Sequence, residues 1–191
     1  MEKIVYKHTL AFLLLFAVLL TFGQKSYVPK ANAAQVKLEG KSLKGYKTNF
    51  DFTWEEVRRG WWEYAREFGA PLNMKTYYKV TIPSETTDGN IDLEIFTQST
   101  EVKGGTDFFL GLENEKFKEQ AFSLILDFKK KFYIKDLVER IEEKQEKADD
   151  LSDAYRDSVI EETKQSLLNQ IETIEGEVEI LKRRIKEIEN S

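Results

Sequence analysis

YKTNFDFTWEEVRRGWWEYAREFGAP, Tyr46 to Pro71, changes its period halfway along. Tyr46, Thr48, Phe50 and Phe52 alternate with Lys47, Asn49 and Asp51, the period of two that turns one face of a strand toward a core. Thr53 is then followed three residues later by Glu56. That is the spacing of a capping box, in which two side chains satisfy two otherwise unpaired amides at a helix start. Trp54, Val57, Trp61, Tyr64, Ala65 and Phe68 recur at threes and fours, one apolar face of a helix. Gly69 and Pro71 end it.

Strand signals lie on both sides of this unit. Upstream, Val36–Glu39 reads as a shorter strand ended by Gly40. Downstream, Met74, Thr76, Tyr78, Val80 and Ile82 predict one strand over 74–82, and Asp88-Gly89 is a turn signal. Ile91, Leu93 and Ile95 form the next alternating set. A turn at Lys103-Gly104-Gly105 follows, then a strand carrying Phe108, Leu110 and Leu112. Consecutive strands joined by short turns imply an antiparallel sheet. Asn114 is a candidate N-cap for a helix whose stripe is Phe117, Ala121, Leu124, Ile125, Phe128 and Phe132. The expected fold is α+β, an antiparallel sheet with helices on one face. It has a ferredoxin-like plan of strand, helix, three strands and helix, without a final strand.

The second helix has no hard breaker after Phe132. Leu137, Val138, Ile141, Ala148, Leu151, Tyr155 and Val159 carry its stripe on, thinly between Lys144 and Asp150. A helix continuing to Glu189 would be roughly 110 Å long and would need a partner at its far end. A bend near Asp149-Asp150 or Ser152 is the alternative. Leu167, Ile171, Ile174, Val178, Leu181, Ile185 and Ile188 alternate by four and three, the a/d seam of a coiled coil. In this register Glu177 and Arg184 fall at g, Lys182 and Glu189 at e. A parallel pair of chains would therefore match Glu177 with Lys182 and Arg184 with Glu189. β-branched residues at a with Leu at d favour a dimer, and Ile at d a trimer. Gly176 falls at the outer f position, and Ile180 at c has no place in the seam.

The N-terminus has its own pattern. Lys3, Lys7 and His8 precede an apolar run from Leu10 to Phe22, and Ala31-Asn32-Ala33 is a small-x-small site. This is the form of a secretory signal peptide, removed by a cut after Ala33. The run is too short for a spanning helix, which needs about 20 residues. An uncleaved inner-membrane anchor is the alternative, because the polar stretch before the cut is long. The organisation expected is a signal peptide over 1–33, a head over 34–132 and a long helix or coiled coil over 133–191. Such a cut takes away four basic residues and one acidic one, changing the formal charge from −5 to −8. An acidic mature chain opposes binding to nucleic acid or to an anionic membrane surface.

The chain has no Cys and a single His, which lies inside the signal. Cys nucleophiles, His-based triads and zinc sites of the usual ligand types are thereby excluded, and no cofactor is expected. Glu55, Glu56, Glu63 and Glu67 could be read as paired carboxylates for acid–base work, but they lie on the polar side of the first helix and need no chemistry to explain them. Asp88-Gly89-Asn90-Ile91-Asp92 lacks the alternating ligands and distal Glu of a calcium loop. Trp62 lies off the buried stripe, and Tyr77, Phe96 and Phe109 lie on the strand face opposite the helices. These four are the candidate partner-binding face, unless they pack on the first strand or the tail.

The signal, VRRGWWEYAREFG, TTDGNIDLEIF with GGTDFFLGL, and the Glu/Lys-rich helical tail together resemble a group of uncharacterised exported bacterial proteins with a small α+β head and a long C-terminal coiled coil. The resemblance implies no activity and no functional residue. A second similarity, to periplasmic holdase chaperones with a small β body and helical arms, is opposed by the acidic charge. The expected function is an exported, non-enzymatic scaffold or interaction module that forms parallel homo-oligomers and contacts other envelope proteins. A holdase and a carboxylate hydrolase are the alternatives.

Overall fold

The computed structural model describes residues 25–83 and 92–191. The signal's basic start and apolar run and the Asp88-Gly89 turn lie outside them. Among the described residues six strands form one antiparallel sheet: β1 (Asn32–Leu38), β2 (Lys41–Phe50), β3 (Ala70–Asn73), β4 (Tyr78–Ile82), β5 (Leu93–Val102) and β6 (Gly105–Leu112). Their spatial order is β1-β2-β6-β5-β4-β3. Helix α1 (Trp54–Ala65) links β2 to β3. After β6, a 3₁₀ turn (Glu115–Phe117) leads into α2 (Lys118–Asp157), and α3 (Glu161–Glu189) follows.

The alternating residues face as their spacing requires. Phe50, Val80, Ile95, Phe108 and Leu110 meet Val57 and Trp61 of α1 and Ile125 and Phe128 of α2 in one core on one face of the sheet. The capping box is present: Thr53 Oγ1 accepts from the Glu56 amide at 3.3 Å, and Glu56 Oε2 accepts from the Thr53 amide at 2.8 Å. Asn114 caps the 3₁₀ turn by accepting from the Lys116 amide at 3.1 Å. The helices approach closely at Gly60, where a Cβ would stand 2.1 Å from the Phe132 ring.

The structure departs from expectation at three places. The strand expected over 74–82 begins only at Tyr78, because Lys75 takes a left-handed φ of 74° and reverses the chain. Ala70–Asn73 thereby becomes the edge strand β3, and an edge strand tolerates Pro71, which has no amide to donate. The strand read over Val36–Glu39 is longer and earlier, Asn32–Leu38, and with β3 added the sheet has six strands among the described residues, in an order set by β6 pairing with both β2 and β5, so the simpler strand-helix-three strands-helix plan does not describe it. The long helix is also not continuous. It stops at Asp157, and after Ser158-Val159-Ile160 the chain returns as α3 along α2.

The reason lies in the phase of the two stripes. Leu151 and Leu167 are sixteen residues apart, about 1600° of helical rotation, or about 160° beyond whole turns. In one straight helix Leu151 and Leu167 would look in nearly opposite directions. Folding back turns each toward the other. The turn itself is held by Ser158, whose Oγ accepts from the Ile160 amide at 3.3 Å.

Residues 25–31 run as an arm over the base of this hairpin. Lys25 pairs with Asp136 at 2.8 Å, and Tyr27 sets its ring edge-on to Tyr133 at 5.4 Å. The Ser26 amide donates to Asp51 at 2.7 Å, Thr48 donates to the Lys30 carbonyl at 2.6 Å, and Arg184 of α3 donates to the Lys25 carbonyl at 2.9 Å.

Candidate functional site

The seam residues of α3 face α2 of the same chain. Ile174, Val178, Leu181 and Ile188 are buried there, and Leu167, Ile171 and Ile185 are half-buried. Three of the four flanking charges also have partners within the chain. Glu177 pairs with Lys144 of α2, and Lys182 with Glu179 one turn earlier at 2.8 Å. Arg184 holds the arm, and the Glu189 carbonyl accepts from Lys130 at 2.7 Å. Gly176 points into open space, as an outer position requires, and Ile180 is half exposed. A parallel pairing of two chains through this seam would first have to strip α3 from α2.

Past Ile141, the ion pairs and hydrogen bonds of α2 lie within the helix or reach α3. This distal part of the hairpin extends about 24 Å over sixteen residues of α2. Ala148, Leu151, Tyr155, Leu167 and Ile171 line it and are only half-buried. At the end of the hairpin Val159 is 94% exposed and Ile160 61%. Asp157 comes just before them in the chain, and Glu161 and Glu162 just after.

Tyr77, Phe96 and Phe109 do lie opposite the helices, but they are buried and form no open patch. They join Leu38 and Leu43 in a second small core, with Val36 and Met74 at its margin. The Tyr77 hydroxyl bonds Glu39 in the β1–β2 turn. That contact joins opposite edges of the sheet, which curls over the cluster. Trp62 is half-buried and packs on Tyr78 at 5.4 Å, so it covers the sheet beside β4.

Three of the four carboxylates on and just past α1 have structural partners. Glu56 caps its own helix, Glu63 pairs with Lys135 at 2.6 Å and Glu67 with Lys131 at 3.4 Å. Among the described residues no three His, Cys, Asp or Glu side chains gather as metal ligands.

One buried polar group escaped the sequence reading. Lys129 is 4% exposed, on the sheet side of α2 beside Phe128. Its ammonium donates to Thr48 Oγ1 at 3.2 Å and stands 5.6 Å and 5.8 Å from the ring centres of Phe50 and Tyr133. Burial pushes it down to about 8, against the opposing pull of Asp51. A cavity of about 380 Å³ opens beside it, walled by Ser26, Val28 and Lys30 of the arm and by Asp51 and Asp107. Burial also pushes the Tyr133 hydroxyl up to about 12. The Tyr64 hydroxyl is raised as well, by burial first and then by donating to Asp127 at 2.6 Å. The stripe reading passed over Lys129 because a single lysine beside two aromatics looks like the polar flank of a helix.

No protein-family model matches the chain, and no curated protein or solved structure matches it. No helix among the described residues is long and apolar enough to cross a membrane.

Proposed function

We propose that the chain is an exported interaction module without an enzymatic centre, in which the α+β head carries a helical hairpin that meets the partner. The observation that carries this reading is the end of the hairpin, where Val159 and Ile160 are exposed between acidic residues. An ordinary helix connection uses Gly, Asn or Pro, and two β-branched apolar residues held in water serve the fold poorly. Copies of the chain would meet through outward residues of the hairpin, such as Leu168 and Ile180, and leave the α2–α3 seam closed.

A photo-crosslinking residue placed at Val159, at Ile180 and, as a control, at Gly40 in the β1–β2 turn tests the reading in the exported protein. Products at the first two positions and none at Gly40 are expected. Equal labelling at all three would remove the hairpin as the contact surface. Sedimentation over a range of concentrations tests self-association separately. A dimer lost in Ile180→Lys supports it, and a monomer throughout overturns it.

A further inference from the structure

We propose that a signal peptidase cuts this chain between Gly23 and Gln24, so that Lys25 to Ala33 stay in the folded protein. The inference rests on the export reading above and moves the cut that the sequence places after Ala33. Two small-x-small sites lie between Leu10 and Ala34: Thr21-Phe22-Gly23 at the end of the apolar run, and Ala31-Asn32-Ala33 further on. The second lies within folded structure. Asn32 and Ala33 are the first residues of β1, paired with Lys47 and Tyr46. Ahead of them, the arm supplies the Lys25–Asp136 ion pair and the Tyr27–Tyr133 ring contact. It also supplies the carbonyls that Thr48 and Arg184 use.

A cut after Ala33 would discard all of these contacts. It would leave Thr48 without its acceptor, Arg184 without its carbonyl and Lys129 without the arm residues that wall its cavity. Buried groups that lose a partner are costly. A cut at Gly23 keeps every one. The step is amide hydrolysis: water adds across the Gly23–Gln24 bond, leaving a carboxylate on Gly23 and a free amine on Gln24.

The test is expression of the full chain with a C-terminal tag in a Gram-negative host, followed by fractionation, N-terminal sequencing and intact mass. The expected N-terminus in the exported fraction is Gln24, free or cyclised with loss of one ammonia, and Gly23→Arg should accumulate precursor. A mature chain starting at Ala34, or at any other residue, overturns the cut. An uncleaved chain that has crossed the membrane overturns the cut and leaves export standing, whereas an uncleaved chain in the cytoplasm overturns both.

A second measurement needs no export. Chains starting at Gln24 and at Ala34 are purified and melted. The shorter should melt roughly 5 °C or more lower, or fail to fold. Its Lys129 should also react with an acylating reagent that leaves Lys129 of the longer chain untouched. Equal melting and equal protection would show the arm to be dispensable and remove the argument.

Discussion

Lys129 carries a charge where the fold has little use for one. Its amine has one hydrogen-bond partner, Thr48, and two aromatic rings around it. Because burial depresses its folded pKa to about 8 from the 10.5 of a free lysine, the unfolded chain holds the proton more tightly than the folded one. Stability should therefore rise with pH between about 8 and 10.5, and be lowest, on this account, below 8. Replacing it with Met keeps the length and removes the charge. Lys129→Met should stabilise the protein at neutral pH by on the order of 2 kcal/mol, a figure discounted for water reaching the amine through the cavity. The gain should vanish above pH 10.5. Urea titrations of both proteins from pH 7 to 11 measure it, and a gain that does not change with pH would locate the effect in packing. Thr97 poses a smaller version of the problem, since its hydroxyl is buried without a hydrogen-bond partner. Thr97→Val should be neutral or stabilising by about 1 kcal/mol in the same titration.

At the scale of elements, the α1–α2 contact depends on the absence of a side chain. Gly60 lies inside α1, where Ala would ordinarily be better by roughly 0.5–1 kcal/mol. Here a Cβ would push into Phe132, which is edge-on to both Phe50 and Phe52. Gly60→Ala should therefore destabilise by about 1–3 kcal/mol, read as a lowered midpoint in chemical unfolding. Such contacts mark what could be read in advance and what could not. The capping box at Thr53, the faces of β2, β4, β5 and β6, and the stripe of α2 from Phe117 to Phe132 follow from local spacing, and they stand as read; farther on, Val138 and Val159, placed on the same stripe, are 39% and 94% exposed, and Val159 lies beyond the end of α2. The edge strand β3 was hidden because Pro71 is a helix stop and an acceptable edge residue alike, and spacing does not choose between them. The seam of α3 was legible residue by residue, but its partner was not. A heptad repeat records that a face is buried and not against which helix. The deciding signal, the rotation between Leu151 and Leu167, was present in the sequence and is visible only when the two stripes are compared with each other. The Lys129 cavity could not have been found by spacing, because three of its walls come from the arm, far away along the chain.

For the whole molecule, head and hairpin share one core. The cluster that contains Phe50, Trp61 and Phe108 runs without interruption through Tyr133, Leu137 and Ile141 to Ile174, Val178, Leu181 and Ile188 of α3. Burying four such aliphatic side chains contributes roughly 6–12 kcal/mol, comparable with the whole stability of an ordinary domain. A chain ending at Asp157 should accordingly lose cooperative unfolding, bind a hydrophobic dye and lose its near-ultraviolet dichroism while keeping helical signal. A sharp two-state transition in that truncated chain would instead make the head a self-sufficient domain. The same continuity means that a partner pulling on Val159 and Ile160 pulls on two helices rooted in the body.

The half-turn mismatch between the two stripes also sets how far this architecture stands from a different one. Two extra residues at the turn would add about 200° and bring Leu151 and Leu167 onto one side. The favoured state would then shift from a chain that closes on itself to a straight rod that must find another rod. An insertion of six nucleotides would thus exchange self-containment for obligate assembly, with every side chain in the seam unchanged.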